Sequence, residues 1–165
     1  MRMRLSLLLL LAPLASGADE GVHFSVAAGA GFAQALLGVQ VQARVDQLAV
    51  FLGTGPFAFV GHSNGANGAS YGGVAGARWY LRSGDGFFVS AQFMRVNYQS
   101  GIYQYNDFTG RYSWDHFNAA TFDLGWRARW EHFFVDAGAG GGAVWFAGDS
   151  PQATPDLTLA LGWEF

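Results

Sequence analysis

Gly61-His62-Ser63-Asn64-Gly65 sets an imidazole beside a hydroxyl, the two groups from which acyl transfer is built: a serine oxygen attacks while a histidine takes its proton. Neighbouring residues of an extended strand point to opposite faces, so His62 and Ser63 cooperate only if the backbone is not extended there. The run continues Ala66-Asn67-Gly68-Ala69-Ser70, which is loop composition. His23-Phe24-Ser25 holds the same two groups at the spacing that shares a strand face, and Glu164 could join them. A satisfied polar layer explains that trio without catalysis. Gly138-Ala139-Gly140-Gly141-Gly142-Ala143 imitates a phosphate-cradling turn, but Asp149-Ser150-Pro151 and Pro155 follow where a helix is needed. The four His are scattered without ligand spacing, so neither a metal nor a cofactor is expected.

The elements that would position these groups are strands. Hydrophobic residues make up 51% and aromatics 16% of the chain. After an apolar run from Leu5 to Leu14, itself too short to span a bilayer, no stretch is long enough for a membrane helix. Met1-Arg2-Met3-Arg4, that run and Ser16-Gly17-Ala18 read as a secretory signal over 1–18, leaving residues 19–165 as one domain exported by the Sec route. Without Arg2 and Arg4, seven of the nine basic residues face twelve acids, and the formal charge moves from −3 to −5. A nucleic-acid partner would require the opposite sign. The chain has no Cys, which removes disulfide frameworks and lipid-modified cysteines.

Eight alternating segments follow, at about 22–31, 36–45, 48–59, 71–82, 87–99, 116–130, 133–146 and 157–165, each near the roughly 9–11 residues a tilted strand needs to cross a membrane. The third is apolar on both faces, so its phase is set by a two-residue turn at Asp46-Gln47 that puts Val45 opposite Leu48. The fifth changes phase beyond Phe93, where Met94, Val96 and Tyr98 form the lipid-like set and Arg95 the polar one. A β-bulge near Phe93-Met94 is expected there. The links after segments two, four and six are tight, whereas those at about 60–70, 100–115 and 147–156 are long. The link from Phe32 to Ala35 is short and lacks a strong turn former.

Alternation assigns Arg44, Arg78, Arg82, Arg95, Arg127, Arg129, Asp123, Asp136 and Glu164 to the inner faces. An eight-stranded barrel is just wide enough for side chains, so these charges must pair as a lumen network rather than line a pore. A two-residue turn at Glu131-His132 sets Arg127 opposite Asp136, with Arg129 near enough to share the carboxylate. Two aromatic girdles are expected: Trp79, Phe87, Trp130, Phe133, Trp163 and Phe165 beside the tight turns, and Phe32, Phe57, Tyr98, Phe117, Trp145 and Phe146 beside the long loops.

The closing segment, with Leu157, Leu159, Leu161, Trp163 and Phe165 on one face, resembles the C-terminal signal strand of bacterial outer-membrane barrels. The whole pattern resembles the small proteins of the OmpA transmembrane-domain and OmpX type. That resemblance implies an all-β fold: an eight-stranded antiparallel up-and-down transmembrane barrel with both termini periplasmic. It implies a monomer in the outer membrane, in contact with its lipid and lipopolysaccharide and inserted by the barrel-assembly machinery, which reads Leu159, Leu161, Trp163 and Phe165. A structural or surface-interaction role without enzymatic activity follows. Nothing follows Phe165, so no peptidoglycan-binding domain is expected. The loop at 100–115, rich in Tyr, Asn and Gly, is the candidate for an extracellular ligand. His62-Ser63-Asn64 also resembles the His-x-Ser-Asn motif of outer-membrane phospholipase A and the lipid A deacylases, with His and Ser one residue too close. A lipid-acyl hydrolase acting through His62 and Ser63 is thus the alternative, and a narrow channel the second alternative.

Overall fold

In the computed structural model, which describes residues 21–60, 67–82, 85–100, 113–146 and 149–165, alternation becomes eight strands: β1 (His23–Gly31), β2 (Leu36–Val45), β3 (Leu48–Val60), β4 (Asn67–Tyr80), β5 (Gly86–Ser100), β6 (Ser113–Trp130), β7 (Phe133–Phe146) and β8 (Gln152–Glu164). Each pairs antiparallel with its sequence neighbours, and β1 pairs with β8 to close an all-β barrel. Closure uses the backbone groups that an open sheet would leave bare at its edges.

Two tight turns set much of the register. Asp46 and Glu131 take φ of 51° and 53°, the left-handed conformation that a two-residue hairpin demands. Val45 therefore faces Leu48, and Trp130 faces Phe133. The first pairing gives β3 its phase, with Leu48, Val50 and Leu52 exposed and Ala49 and Phe51 buried.

Strand β5 runs differently from the expected bulge. Its pairing with β4 and with β6 is unbroken from Phe88 to Tyr98, so one phase holds throughout. Met94 and Val96 are buried inside the barrel, and Arg95 is exposed on the outer face. Two apolar residues stand on the inner face because the loop half of the interior is itself apolar. Phe32, Ala33, Ala35, Phe51, Val74, Met94, Val96, Phe117 and Ala119 form one buried cluster there.

The centre of that cluster is the link from β1 to β2. Phe32–Gln34 form a single 3-10 turn, and Phe32, Ala33, Gln34 and Ala35 are all buried. The turn packs against β1–β5 and β8, so it is a plug folded back into the barrel rather than an outer loop. Ala35 and Leu36 hold φ of 52° and 81°, a conformation that costs non-glycine residues of order 1–3 kcal/mol each and persists where packing enforces it.

The outer surface is apolar. Val26, Val41, Val50, Leu124, Leu159 and Leu161 are exposed along the strands, and Trp79, Phe87, Trp130, Phe133, Trp163 and Phe165 ring the turn end. The loop end departs from the expected girdle. Phe32 lies in the plug, while Phe117 and Phe146 meet on the inner face with ring centroids 5.5 Å apart. Trp145 packs on Phe93, and Tyr71 is exposed. Phe57 and Tyr98 have side chains outside those described.

Candidate functional site

The lumen carries the polar chemistry in layers. At the turn end the Glu164 carboxylate accepts from Arg44 at 2.9 Å and Arg129 at 2.8 Å, with His23 Nδ1 at 3.8 Å. Ser25 stands opposite Glu164 in the β1–β8 ladder. His23, Ser25 and Glu164 thus share the inner face, within a layer whose carboxylate is taken up by arginines.

One layer higher, the expected partners meet: Arg127 faces Asp136 in the β6–β7 register and binds it twice, Nε to Oδ1 at 2.6 Å and Nη2 to Oδ2 at 2.8 Å. The second arginine on Asp136 is Arg78, at 2.7 Å, not Arg129. All three side chains are 1% exposed.

Aromatic rings hold these guanidiniums in place. The Cζ of Arg127 lies 3.7 Å from the Phe134 ring centroid, and that of Arg78 lies 4.2 Å from the Phe88 centroid, both within cation–π range. Each ring lies against the barrel wall because its cross-strand partner is glycine. Phe88 faces Gly125, Phe134 faces Gly162 and Phe51 faces Gly76. A Cβ on Gly125, Gly162 or Gly76 would come within 2.2, 2.1 and 2.3 Å of the facing ring, respectively. The bare backbone is the space the ring occupies.

Above the arginines lies an acidic layer. Asp123 and Asp156 flank Gly140, its direct partners on β6 and β8. Gln92 Nε2 donates to both carboxylates at 2.7 Å and to Thr121 Oγ1 at 2.9 Å. Asp156 also accepts from the Phe32 backbone N–H at 3.3 Å, which ties the plug to this layer. Among the described residues neither Asp123 nor Asp156 makes an ion pair. The described interior is therefore polarised along the axis, with Arg44, Arg78, Arg127, Arg129, Asp136 and Glu164 toward the turns and Asp123 and Asp156 toward the loops.

Asp156, Gln92 and Thr121 were not legible as site residues. Pro151 and Pro155 make the segment before Leu157 read as loop, yet β8 begins at Gln152. Pro155 is tolerated because β1 pairs β8 only up to Leu159, so the prolyl nitrogen has no strand partner to disappoint. The clue was parity: Thr154, Asp156, Thr158, Ala160, Gly162 and Glu164 share one phase. Arg82 departs from the inner list. It lies beyond the end of β4 and is exposed at the turn-end rim. Arg95 is outside, as described above. His62 and Ser63, and residues 101–112 of the candidate binding loop, lie outside the described residues. Leu159, Leu161, Trp163 and Phe165 share the exposed face of the last strand. Among the described residues no three His, Cys, Asp or Glu side chains gather in a way that could hold a metal.

No protein-family model matches the chain, and no curated protein matches it. Among solved structures it is similar to the N-terminal β-barrel domain of Pseudomonas aeruginosa OprF, at 16% identity and a TM-score of 0.53, covering 87% of this chain and 96% of that one. It is also similar to Ail, the attachment invasion locus protein of Yersinia pestis, solved in complex with the heparin analogue sucrose octasulfate, at 10% identity and a TM-score of 0.43, with the same coverages. The apolar outside, the charged inside and the closure of β8 on β1 come together in one conclusion: this chain has the closed eight-stranded antiparallel fold of outer-membrane barrels such as that of OprF.

Proposed function

We propose that this protein is an integral outer-membrane barrel, exported by the Sec route and inserted by the barrel-assembly machinery, with a structural or surface-interaction role and no catalytic one. The observation that carries the reading is the inversion of polarity. Exposed valines, leucines and aromatic rings cover the outside, while seven charged residues at most 5% exposed (Arg44, Arg78, Asp123, Arg127, Asp136, Asp156 and Glu164) are packed within. In water such a surface would aggregate, whereas in hydrocarbon it is the stable arrangement for a closed sheet. Outer-membrane lipid and lipopolysaccharide are then the surrounding solvent. The tight turns and both chain ends are assigned to the periplasm, the long loops to the cell surface, and the 100–115 segment to any extracellular ligand.

The lumen supports a structural role over a conducting one, because arginine–carboxylate layers and the plug fill the described interior. The test is refolding of the mature chain into lipopolysaccharide-containing bilayers, with gel mobility before and after boiling, ion conductance and acyl release all measured. A heat-dependent mobility shift with neither conductance nor acyl release is the expected result. Acyl release abolished by Ser63→Ala would replace this reading with the hydrolase, and sustained conductance would replace it with the channel.

A further inference from the structure

The barrel wall is notched at the turn end. Strand β5 starts at Gly86, paired with Arg127, whereas β6 continues three residues further to Trp130. Gly86 takes φ of 77°, and among the described residues Ala128, Arg129 and Trp130 have no partner on the β5 side. A cavity of about 610 Å³ fills the gap, and its lining includes both faces of the wall. From the inner side come Arg127 and Arg129, and from the tip come Arg82 and Asp85. The outer side supplies Phe87, Trp126 and Trp130.

The lining thus includes three arginines and one aspartate. Arg127 binds Asp136 and lies 3.8 Å from Glu164 through Nη1, and Arg129 binds Glu164 while keeping 31% of its side chain exposed. Arg82 is exposed and has no ion pair among the described residues. Beside these cations, Phe87, Trp126 and Trp130 are 66%, 49% and 60% exposed on the outer surface.

We propose that this notch binds the headgroup of an anionic glycerophospholipid from the leaflet at the turn end. Arg82 would engage the phosphate, with Arg127 and Arg129 behind it, and an acyl chain would run out along Phe87, Trp126 and Trp130. The inference rests on the membrane reading above. Arginine matches a phosphate diester through paired N–H donors, and indole rings favour the depth at which a headgroup meets its chains. A soluble phosphate would use the cations and leave the aromatic wall without a role, so the occupant assigned is the lipid.

The test is native mass spectrometry of the refolded barrel presented with equal amounts of phosphatidylglycerol and phosphatidylcholine, with the heat-dependent gel shift checked first. Wild-type protein is expected to retain phosphatidylglycerol selectively, and millimolar inorganic phosphate is expected not to displace it. Arg82→Gln should weaken retention by roughly tenfold, the effect of one lost charge-assisted hydrogen bond. Arg95→Gln, which removes an exposed arginine away from the notch, should leave retention unchanged. Equal retention of the two lipids, undiminished retention by Arg82→Gln, or binding of inorganic phosphate without lipid selectivity would each overturn the proposal. A chain that never shows the gel shift fails the barrel reading itself, a separate result that takes this proposal with it.

Discussion

Asp136 is the residue on which the interior turns. It pairs with Arg127 and Arg78 at once, all three in a space that water barely reaches. Buried ion pairs are close to neutral when replaced as a unit and costly when broken, because the survivor is an unpaired charge away from water. Asp136→Asn strands two arginines and is expected to lower the unfolding free energy in urea by about 3–5 kcal/mol. Adding Arg127→Gln to it should recover part of that loss, and a double variant less stable than Asp136→Asn would contradict the pairing. The aromatic rings that clamp the arginines make a second claim at this scale. Gly162→Ala places a methyl group where the Phe134 ring lies and should destabilise by about 1–3 kcal/mol, as overpacking does. The smaller side chain of Phe134→Leu should recover some of this in the double variant; strict additivity of the two losses in denaturant titrations would show that ring and glycine do not share the space.

Two elements, the plug and β5, explain one another. Phe32 has to pack on something apolar inside the loop half, and Met94, Val96 and Phe117 supply it. That requirement keeps β5 in a single phase and turns Arg95 outward. The chain has no Cys, so the phase can be read by thiol labelling of refolded protein. Arg95→Cys is expected to react rapidly with a maleimide, whereas Met94→Cys should react only after unfolding; the reverse order would restore the bulge. Truncating Phe32 to Ala should cost about 3–5 kcal/mol, as for other buried phenylalanines. It should not open a pore, because the Arg78–Asp136–Arg127 layer lies below the plug. Conductance in planar bilayers by the Phe32→Ala variant would defeat that account.

At the scale of the whole molecule the barrel is a sheet with its polarity inverted and its last strand closing on its first. The last strand presents Leu159, Leu161, Trp163 and Phe165 to the outside, while Glu164 reaches the lumen network. Placing Asp at both Leu161 and Trp163 adds two charges to the face assigned to lipid, each opposed by up to a few kcal/mol depending on depth. Folded, protease-resistant protein in the outer membrane is expected to fall to background for that variant and for the chain lacking Phe165. Wild-type levels from either would remove the signal-strand assignment.

The amino-acid sequence by itself determined the number of strands, their order and most of their faces. Period-two alternation survives any tertiary context in which one side of a sheet meets lipid and the other meets charge. For the same reason the Arg127–Asp136 pair was legible: both residues lie four positions from the ends of a two-residue turn, and turn length fixes what stands opposite. What lies across the lumen was not legible, since Arg78 reaches Asp136 and Arg129 reaches Glu164 over distances that no local register encodes. The apolar loop half was hidden for a related reason. Alternation of Met94 and Val96 with polar neighbours identifies two faces of β5 without saying which is inside, and only the plug, folded in by a link with no turn signature, decided it. Arg82 and Asp156 moved in opposite directions because strand ends are set by whether a neighbouring strand is there to pair. Arg82 lies past the end of β4 and stands at the rim, whereas Asp156, in a proline-flanked segment that reads as loop, is drawn into the wall by β7 and into the acidic layer by Gln92.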